Sequence, residues 1–214
     1  MKTIYFVRHG ETEGNTGNIF QGESTPLNEK GMHQAERVAE RCSRIKIDAI
    51  ISGALYRQQQ TATTISEKIK MPFITSDLFD ERRRPTSIVG RSRQDKQAVV
   101  VEEAWYRSIF EDGPRVEDGE NFDDLKVRAG DALEFLASHS AESVLVVTSG
   151  NILHMLGARV IFGERFAQKE FSSLVHALYV TNSGLTLFRY IDDDPDRPSH
   201  PWRIATWNDH AHLG

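Results

Sequence analysis

A single cysteine, Cys42, stands in the whole chain, so neither an internal disulfide nor a cysteine-based metal cluster can form. It falls in a helical pattern and reads as a core thiol rather than a nucleophile, and a reducing compartment is expected. No apolar run approaches the roughly 20 residues that a membrane-spanning helix needs. The opening residues also lack the long apolar segment and cleavage site of a signal peptide, so a cytoplasmic location is expected and no membrane partner. Basic charge is scarce as well: 26 Lys and Arg stand against 31 Asp and Glu, a formal net charge of -5. That balance argues against a nucleic-acid partner, although a local basic pocket remains open. Internal repeats, a glycine-rich nucleotide loop and coiled-coil heptads are all missing. No cluster of metal ligands stands out; His210 and His212 read as terminal and mobile. Neither metal nor cofactor is called for.

What is present is an alternation of short β-branched runs and amphipathic stretches. Hydrophobic residues make up 39% of 214, enough for one substantial core. Lys2 to Val7 and Ile47 to Ser52 read as strands, and Asn28 caps a helix whose buried stripe is Met32, Ala35, Val38, Ala39 and Cys42. Tyr56 to Lys70 reads as the next helix. Periodicity fails from Thr75 to Gln94, where Asp80-Glu81-Arg82-Arg83-Arg84-Pro85 is either a solvated loop or the start of a lid over the sheet. A helix over Asp95 to Phe110 and another marked by Phe122, Leu125, Ala129, Ala132, Leu133 and Leu136 follow. Val144-Leu145-Val146-Val147 has the character of a central parallel strand, ending in Thr148-Ser149-Gly150-Asn151 before a helix over Ile152 to Phe162. Leu174 to Thr181 and Leu185 to Tyr190 read as an antiparallel hairpin across Asn182-Ser183-Gly184. After a charged loop from Asp192 to Pro201, Trp202 to Trp207 reads as an edge strand. The expectation is a single α/β domain over 1–214: a three-layer sandwich around a mostly parallel mixed sheet, with a helical lid insertion at about 76–120.

The chemistry gathers where the first strand ends, in Arg8-His9-Gly10. Ligands bind at such carboxyl ends in open α/β sheets. Arg8 brings a guanidinium fork suited to phosphate, His9 a nucleophilic ring nitrogen, and Gly10 lets backbone approach a ligand. Taken alone, the triplet is equally a turn-forming strand end. Further stretches appear in order behind it: Arg8 to Asn15, Phe20-Gln21-Gly22, Pro26-Leu27, and Gly31 with Gln34-Ala35. Then come Ser52-Gly53-Ala54-Leu55-Tyr56-Arg57 with Thr61-Ala62, Asp118-Gly119-Glu120-Asn121-Phe122, and Val144 to Gly150. In this order the chain resembles the histidine phosphatase superfamily, which includes the phosphoglycerate-mutase-like enzymes. The resemblance implies phosphomonoester hydrolysis through a phosphohistidine on His9, with Arg8 and Arg57 neutralising the nonbridging oxygens. Asn15 and Gln21 would add neutral donors, with Ser149 and Gly150 completing the substrate site. Glu81 would serve as general acid and base, and Asp80 is the competing carboxylate. A small phosphorylated substrate or inorganic phosphate is the implied ligand, and the chemistry needs no metal.

One position departs from that family. Its last block carries a histidine immediately before the glycine, where this chain has Ser149. A serine hydroxyl donates a neutral hydrogen bond where a protonated histidine would donate a charged one. The serine would reflect an introduced substitution, a slowed enzyme, or a homologue that binds phosphate without turning it over. His154 and His176 are the other imidazoles to consider. Arg82, Arg83, Arg84, Arg91 and Arg93 would make either a basic mouth or a solvated surface. The rival readings are a phosphoglycerate-type mutase and a phosphate-ligand binding protein. A homodimer through the C-terminal edge strands is a further expectation.

Overall fold

The computed structural model describes residues 1–17, 19–192 and 200–214. Six strands among them form one sheet: β1 (Lys2–Arg8), β2 (Ala49–Ser52), β3 (Phe73–Thr75), β4 (Ser143–Thr148), β5 (Leu185–Tyr190) and β6 (Trp202–Asp209). Their order is β3-β2-β4-β1-β5-β6. The pairs β1–β4, β2–β4 and β2–β3 are parallel, whereas β5 runs antiparallel to both β1 and β6. The helices are α1 (Glu13–Thr16), α2 (Glu29–Cys42), α3 (Tyr56–Ile69), α4 (Lys96–Arg107), α5 (Phe122–Ser138), α6 (Gly150–Phe162) and α7 (Gln168–Ala177).

Strands buried on both faces split their side chains two ways, and the core follows that split. Ile4, Phe6, Val144 and Val146 pack with α5, α6 and α7 through Leu125, Leu156 and Phe171. Val7, Leu145 and Val147 face the other way, onto Val38, Ala39 and Cys42 of α2 and Ala62 and Ile65 of α3. The result is a three-layer α/β sandwich. It also explains where the crevice lies. The chain leaves β1 toward α2 on one face and leaves its neighbour β4 toward α6 on the other. Two adjacent parallel strands with helices departing to opposite faces open a gap at their carboxyl ends.

Several expectations need correcting. Leu174 to Thr181 is not a strand: helix α7 runs through Ala177, burying Phe171 and Leu174 one turn apart. The hairpin therefore does not form. Its turn, with Ser183 at φ 58°, instead ties back to β1 through Ser183 N–H donating to Arg8 O at 2.8 Å. The place beside β1 belongs to β5, whose partner on the far side is β6. His176 accordingly sits on a helix. The three-residue edge strand β3 went unread because Pro72 stands just before it. Nor are His210 and His212 loose: the turn Ala211–Leu213 packs on α2, where Arg37 Nε donates to His212 O at 2.9 Å and His212 Nε2 bonds Ser183 O at 2.9 Å. The expected 192–201 loop lies largely outside the described residues.

The stretch between β3 and α5 contains α4 and two short 3-10 turns, Asp77–Phe79 and Thr86–Ile88. It is fastened to the N-terminal loop: Phe20 N–H donates to Arg91 O at 3.0 Å, Gly90 N–H to Phe20 O at 2.9 Å, and Ile19 bridges Ser92. No helix among the described residues is long and apolar enough to cross a membrane.

Candidate active site

His9 is carried just past the end of β1, its N–H donating to Thr148 O at 2.9 Å and its carbonyl receiving Asn182 Nδ2 at 2.9 Å. Gly10 then presses against α2 so closely that an added Cβ would strike the Gly31 carbonyl. Glycine is required there because two backbones touch. The imidazole is 2% exposed. Its Nδ1 lies 2.7 Å from Gly10 O. A carbonyl can only accept, so Nδ1 carries the hydrogen and Nε2 keeps its lone pair. Arg57 Nε donates to that Nε2 at 3.3 Å. Burial, then the charges of Arg57 and Arg8, hold the His9 pKa well below its ordinary value. The ring is a neutral imidazole between two cations.

Arg57 opens α3 and is nine-tenths or more covered, with Nη1 donating to Gly22 O at 3.0 Å. Arg8 donates through Nη1 to Val180 O at 2.5 Å. Its Nε is buried with no partner among the described residues. Burial lowers the pKa of both arginines, and Glu81 opposes that for each. A Cβ added at Gly150 would lie 3.7 Å from Arg8 Nε and 3.9 Å from Glu81 Oε2, so the start of α6 forms a floor between the two charges. Glu81 Oε1 accepts from Arg82 N–H at 2.8 Å and from Asn151 N–H at 3.1 Å. Arg8, His9, Arg57, Glu81 and Gly150 thus lie together at the carboxyl ends of β1 and β4.

Other candidates are placed differently. Asp80 turns to the backbone leading into α3, its Oδ1 accepting from Ala54 N–H at 2.6 Å, and burial pushes its pKa up to about 6. Asn15 and Gln21 gather around Thr12, whose hydroxyl lies 2.9 Å from Asn15 Oδ1 and 3.1 Å from Gln21 Oε1. They join the crevice only through neighbours: Asn182 Nδ2, which holds His9 O, is 3.5 Å from Asn15 Oδ1. Ser149 is wholly buried and heads α6, yet its side chain caps no helix N–H. Its Oγ instead receives Gln58 Nε2 at 3.0 Å. His154 is occupied by Leu178 O at 2.7 Å and lies beside Trp207, while His176 bonds Ser172 O on the exposed side of α7.

A five-arginine mouth does not form. Arg82 is buried in the opposite sense, its guanidinium over Trp105 and bonded to Glu120 O, Trp105 O and Ser108 Oγ. Arg84 is paired with both oxygens of Glu102, and Arg91 with Asp95. Cys42 is a buried core thiol whose pKa is pushed up to about 12 by desolvation. Among the described residues no group of three or more His, Cys, Asp or Glu could hold a metal ion.

Sequence reasoning missed Gln58, Asn182 and the pair Glu120–Arg128. Gln58 adjoins Arg57, and Asn182 belongs to the turn misread as a hairpin, so each was in view with the wrong task. Arg128 donates to Asp80 O at 2.8 Å and Leu78 O at 3.2 Å while paired with Glu120 at 2.6 Å, gripping the segment that ends in Glu81.

A profile of the histidine phosphatase superfamily (branch 1) matches residues 4–197, and the chain belongs to that superfamily. Among its relatives is "Probable phosphoglycerate mutase GpmB" of Enterobacter sp. (strain 638), 32% identical over 213 residues, covering 97% of this chain and 90% of that protein. "Metal-independent phosphoserine phosphatase" of Arabidopsis thaliana is 30% identical over 216 residues, covering 98% and 82%. In fold the chain is similar to the solved structure of Bacillus stearothermophilus YhfR, with a TM-score of 0.82 over the whole of both chains at 23% identity.

Proposed function

We propose that this chain hydrolyses small phosphomonoesters through a phosphohistidine on His9. The observation that carries the reading is the state of that ring: neutral, with its hydrogen fixed on Nδ1 by Gly10 O and its Nε2 lone pair facing Arg57. A nucleophile must be unprotonated at the attacking atom, and this arrangement supplies that without a separate base. An arriving phosphoryl group offers Arg57 stronger acceptors than a ring nitrogen. The guanidinium then turns to the phosphoryl oxygens and Nε2 is released.

The unpartnered Nε of Arg8 is the second donor to those oxygens. Once Arg57 has turned to the bound phosphoryl group, the two cations offset the developing charge without further reorganisation at the moment of reaction. His9 Nε2 forms the N–P bond as the P–O bond to the leaving group breaks, and Glu81, having taken up the proton that a monoanionic phosphomonoester carries in, passes it to the departing oxygen. Water then attacks phosphorus, Glu81 takes its proton, the N–P bond breaks, and inorganic phosphate leaves. The insertion at about 76–120 would act as the lid, a reading supported by its bonds to Phe20 of the N-terminal loop. Ser149 contributes a neutral hydroxyl, so the first step is slower than with a cationic donor.

The test is release of inorganic phosphate from p-nitrophenyl phosphate by the parent chain and His9→Ala. A drop of at least about a thousandfold is expected for loss of the nucleophile. An alkaline quench during turnover should capture a base-stable, acid-labile phosphoryl group in the parent alone. An unchanged rate in His9→Ala sinks the assignment.

A further inference from the structure

The histidine that the family resemblance expects at position 149 is only half of what distinguishes this pocket. Gln58, the residue after Arg57, is wholly buried and every polar atom of its carboxamide is used. Oε1 accepts from Leu55 N–H at 3.1 Å. Nε2 donates to Phe79 O at 2.8 Å and to Ser149 Oγ at 3.0 Å. The three partners belong to three separate parts of the crevice. Leu55 leads into the helix carrying Arg57, Phe79 precedes Asp80-Glu81, and Ser149 heads the helix whose start lies between Arg8 and Glu81. Thr148 Oγ1 reaches the same Phe79 carbonyl at 2.9 Å.

The bond also fixes the polarity of Ser149. An amide N–H can only donate, so the serine oxygen accepts and its own hydrogen has no acceptor among the described residues. There is little room to spare: a Cβ at Gly53 would overlap the Gln58 amide. An imidazole at 149 would place its ring atoms beyond the present position of Oγ, and Gln58 Nε2 already lies 3.0 Å from that oxygen.

We propose that Gln58 is a positioning residue paired with Ser149: the amide occupies the space an imidazole at 149 would need, holds the parts of the crevice bearing Arg57, Glu81 and Gly150 together, and leaves the Ser149 hydroxyl hydrogen for a phosphoryl oxygen. Ser149 is then one member of a joint replacement, and restoring histidine alone does not restore the site. The inference rests on the phosphatase reading above.

The experiment is turnover of p-nitrophenyl phosphate by Gln58→Met, Ser149→Ala and their double variant, with Ser149→His and Gln58→Ala/Ser149→His beside them. Methionine keeps the approximate volume of glutamine and removes both donors. Gln58→Met and Ser149→Ala should each lower kcat about tenfold, the scale of one lost hydrogen bond, with KM little changed. Their double variant should fall no further than the worse single, since both break one unit. Ser149→His alone should turn over more slowly than the parent. Adding Gln58→Ala should recover about tenfold and introduce an ionisation near neutral pH into the kcat profile.

Additive losses in the first pair, or a gain from Ser149→His that needs no change at Gln58, would overturn the pairing. Circular dichroism and thermal melting identify any variant that does not fold. In that case Ser149→Ala against Ser149→Cys, which keeps a weak donor, carries the test: equal rates would overturn it. Failure of the phosphatase reading is separately visible as His9-independent turnover. Binding of inorganic phosphate by calorimetry then reports the same non-additivity between Gln58→Met and Ser149→Ala, or its absence.

Discussion

His9 is a base placed between two guanidiniums and removed from water, and its folded-state pKa lies below the value it has in the unfolded chain. As pH falls below about 6.5 the unfolded chain takes a proton that the folded chain refuses, so stability is lost as pH drops toward the folded pKa. Denaturant melts at pH 7 and pH 5 should show a larger loss for the parent than for His9→Gln; equal losses would mean that the ring is not held neutral. Asp80 has the opposite sign. Its pKa rises on folding from 3.8 to about 6, so its contribution is fully present below 3.8 and is lost as pH climbs through 6. Asp80→Asn keeps an oxygen for Ala54 N–H and removes the buried charge. It should gain about 1–2 kcal/mol at pH 7.5, after discounting for solvent screening, and nearly nothing at pH 4. A gain that is the same at both pH values would show that desolvation of the carboxylate is not its cause. The contrast between Asp80 and Glu81 also shows what sequence leaves open. Two adjacent carboxylates differ in placement because one side chain turns to the α3 entry and the other to the α6 N-terminus, a choice that backbone direction makes.

At the scale of elements, the Glu81 segment has no regular structure of its own and depends on a clasp from α5. Arg128 grips the carbonyls of Leu78 and Asp80, and Glu120, 4% exposed, receives both that guanidinium and Arg83 N–H at 2.7 Å. The Glu120 carboxylate is stabilised despite its burial, which alone would raise its pKa, because Arg128 draws it below the ordinary range. Arg128→Met removes the closer of that carboxylate's two cations and leaves it only the Arg83 guanidinium at 4.0 Å, and should cost roughly 3 kcal/mol in urea unfolding. Glu120→Gln added to it should recover part of the loss; no recovery would assign the cost to the lost carbonyl contacts. None of this was legible beforehand, because a charge run with a proline carries no period, and its partners, Glu120 just before α5 and Arg128 within it, lie about 40 to 50 residues on. The alternation of β1, α2, β2, α3, β4 and α6 was legible because these strands are largely buried and each helix keeps a stripe. Reading Leu174 to Thr181 as a strand failed because Ala177-Leu178-Tyr179-Val180 has strand composition, yet both sides of its expected hairpin partner, β5, are filled by β1 and β6.

For the molecule as a whole, the crevice between β1 and β4 is where helices leave the sheet in opposite directions, and the arginines there are held by carbonyls and by one imidazole nitrogen. Their nearby carboxylate, Glu81, is itself bonded to two backbone N–H groups. Folding therefore concentrates positive charge whose cost is offset when an anion enters, and the unfolded chain has no comparable site. A ligand that binds only the folded state raises stability by RT ln(1 + [L]/Kd), about 2.7 kcal/mol at a hundredfold excess over Kd. For a chain of this size that corresponds to a rise in Tm of roughly 5–10 °C. Thermal melts in increasing inorganic phosphate should rise along that logarithm in the parent and stay flat in Arg8→Met, whose lost Nε is the donor without a partner. Arg115→Met, which removes an exposed guanidinium paired with Asp124, should rise like the parent and so separates a specific pocket from general salt stabilisation. Equal rises in all three proteins would place phosphate outside the crevice and detach the arginines from the role assigned to them.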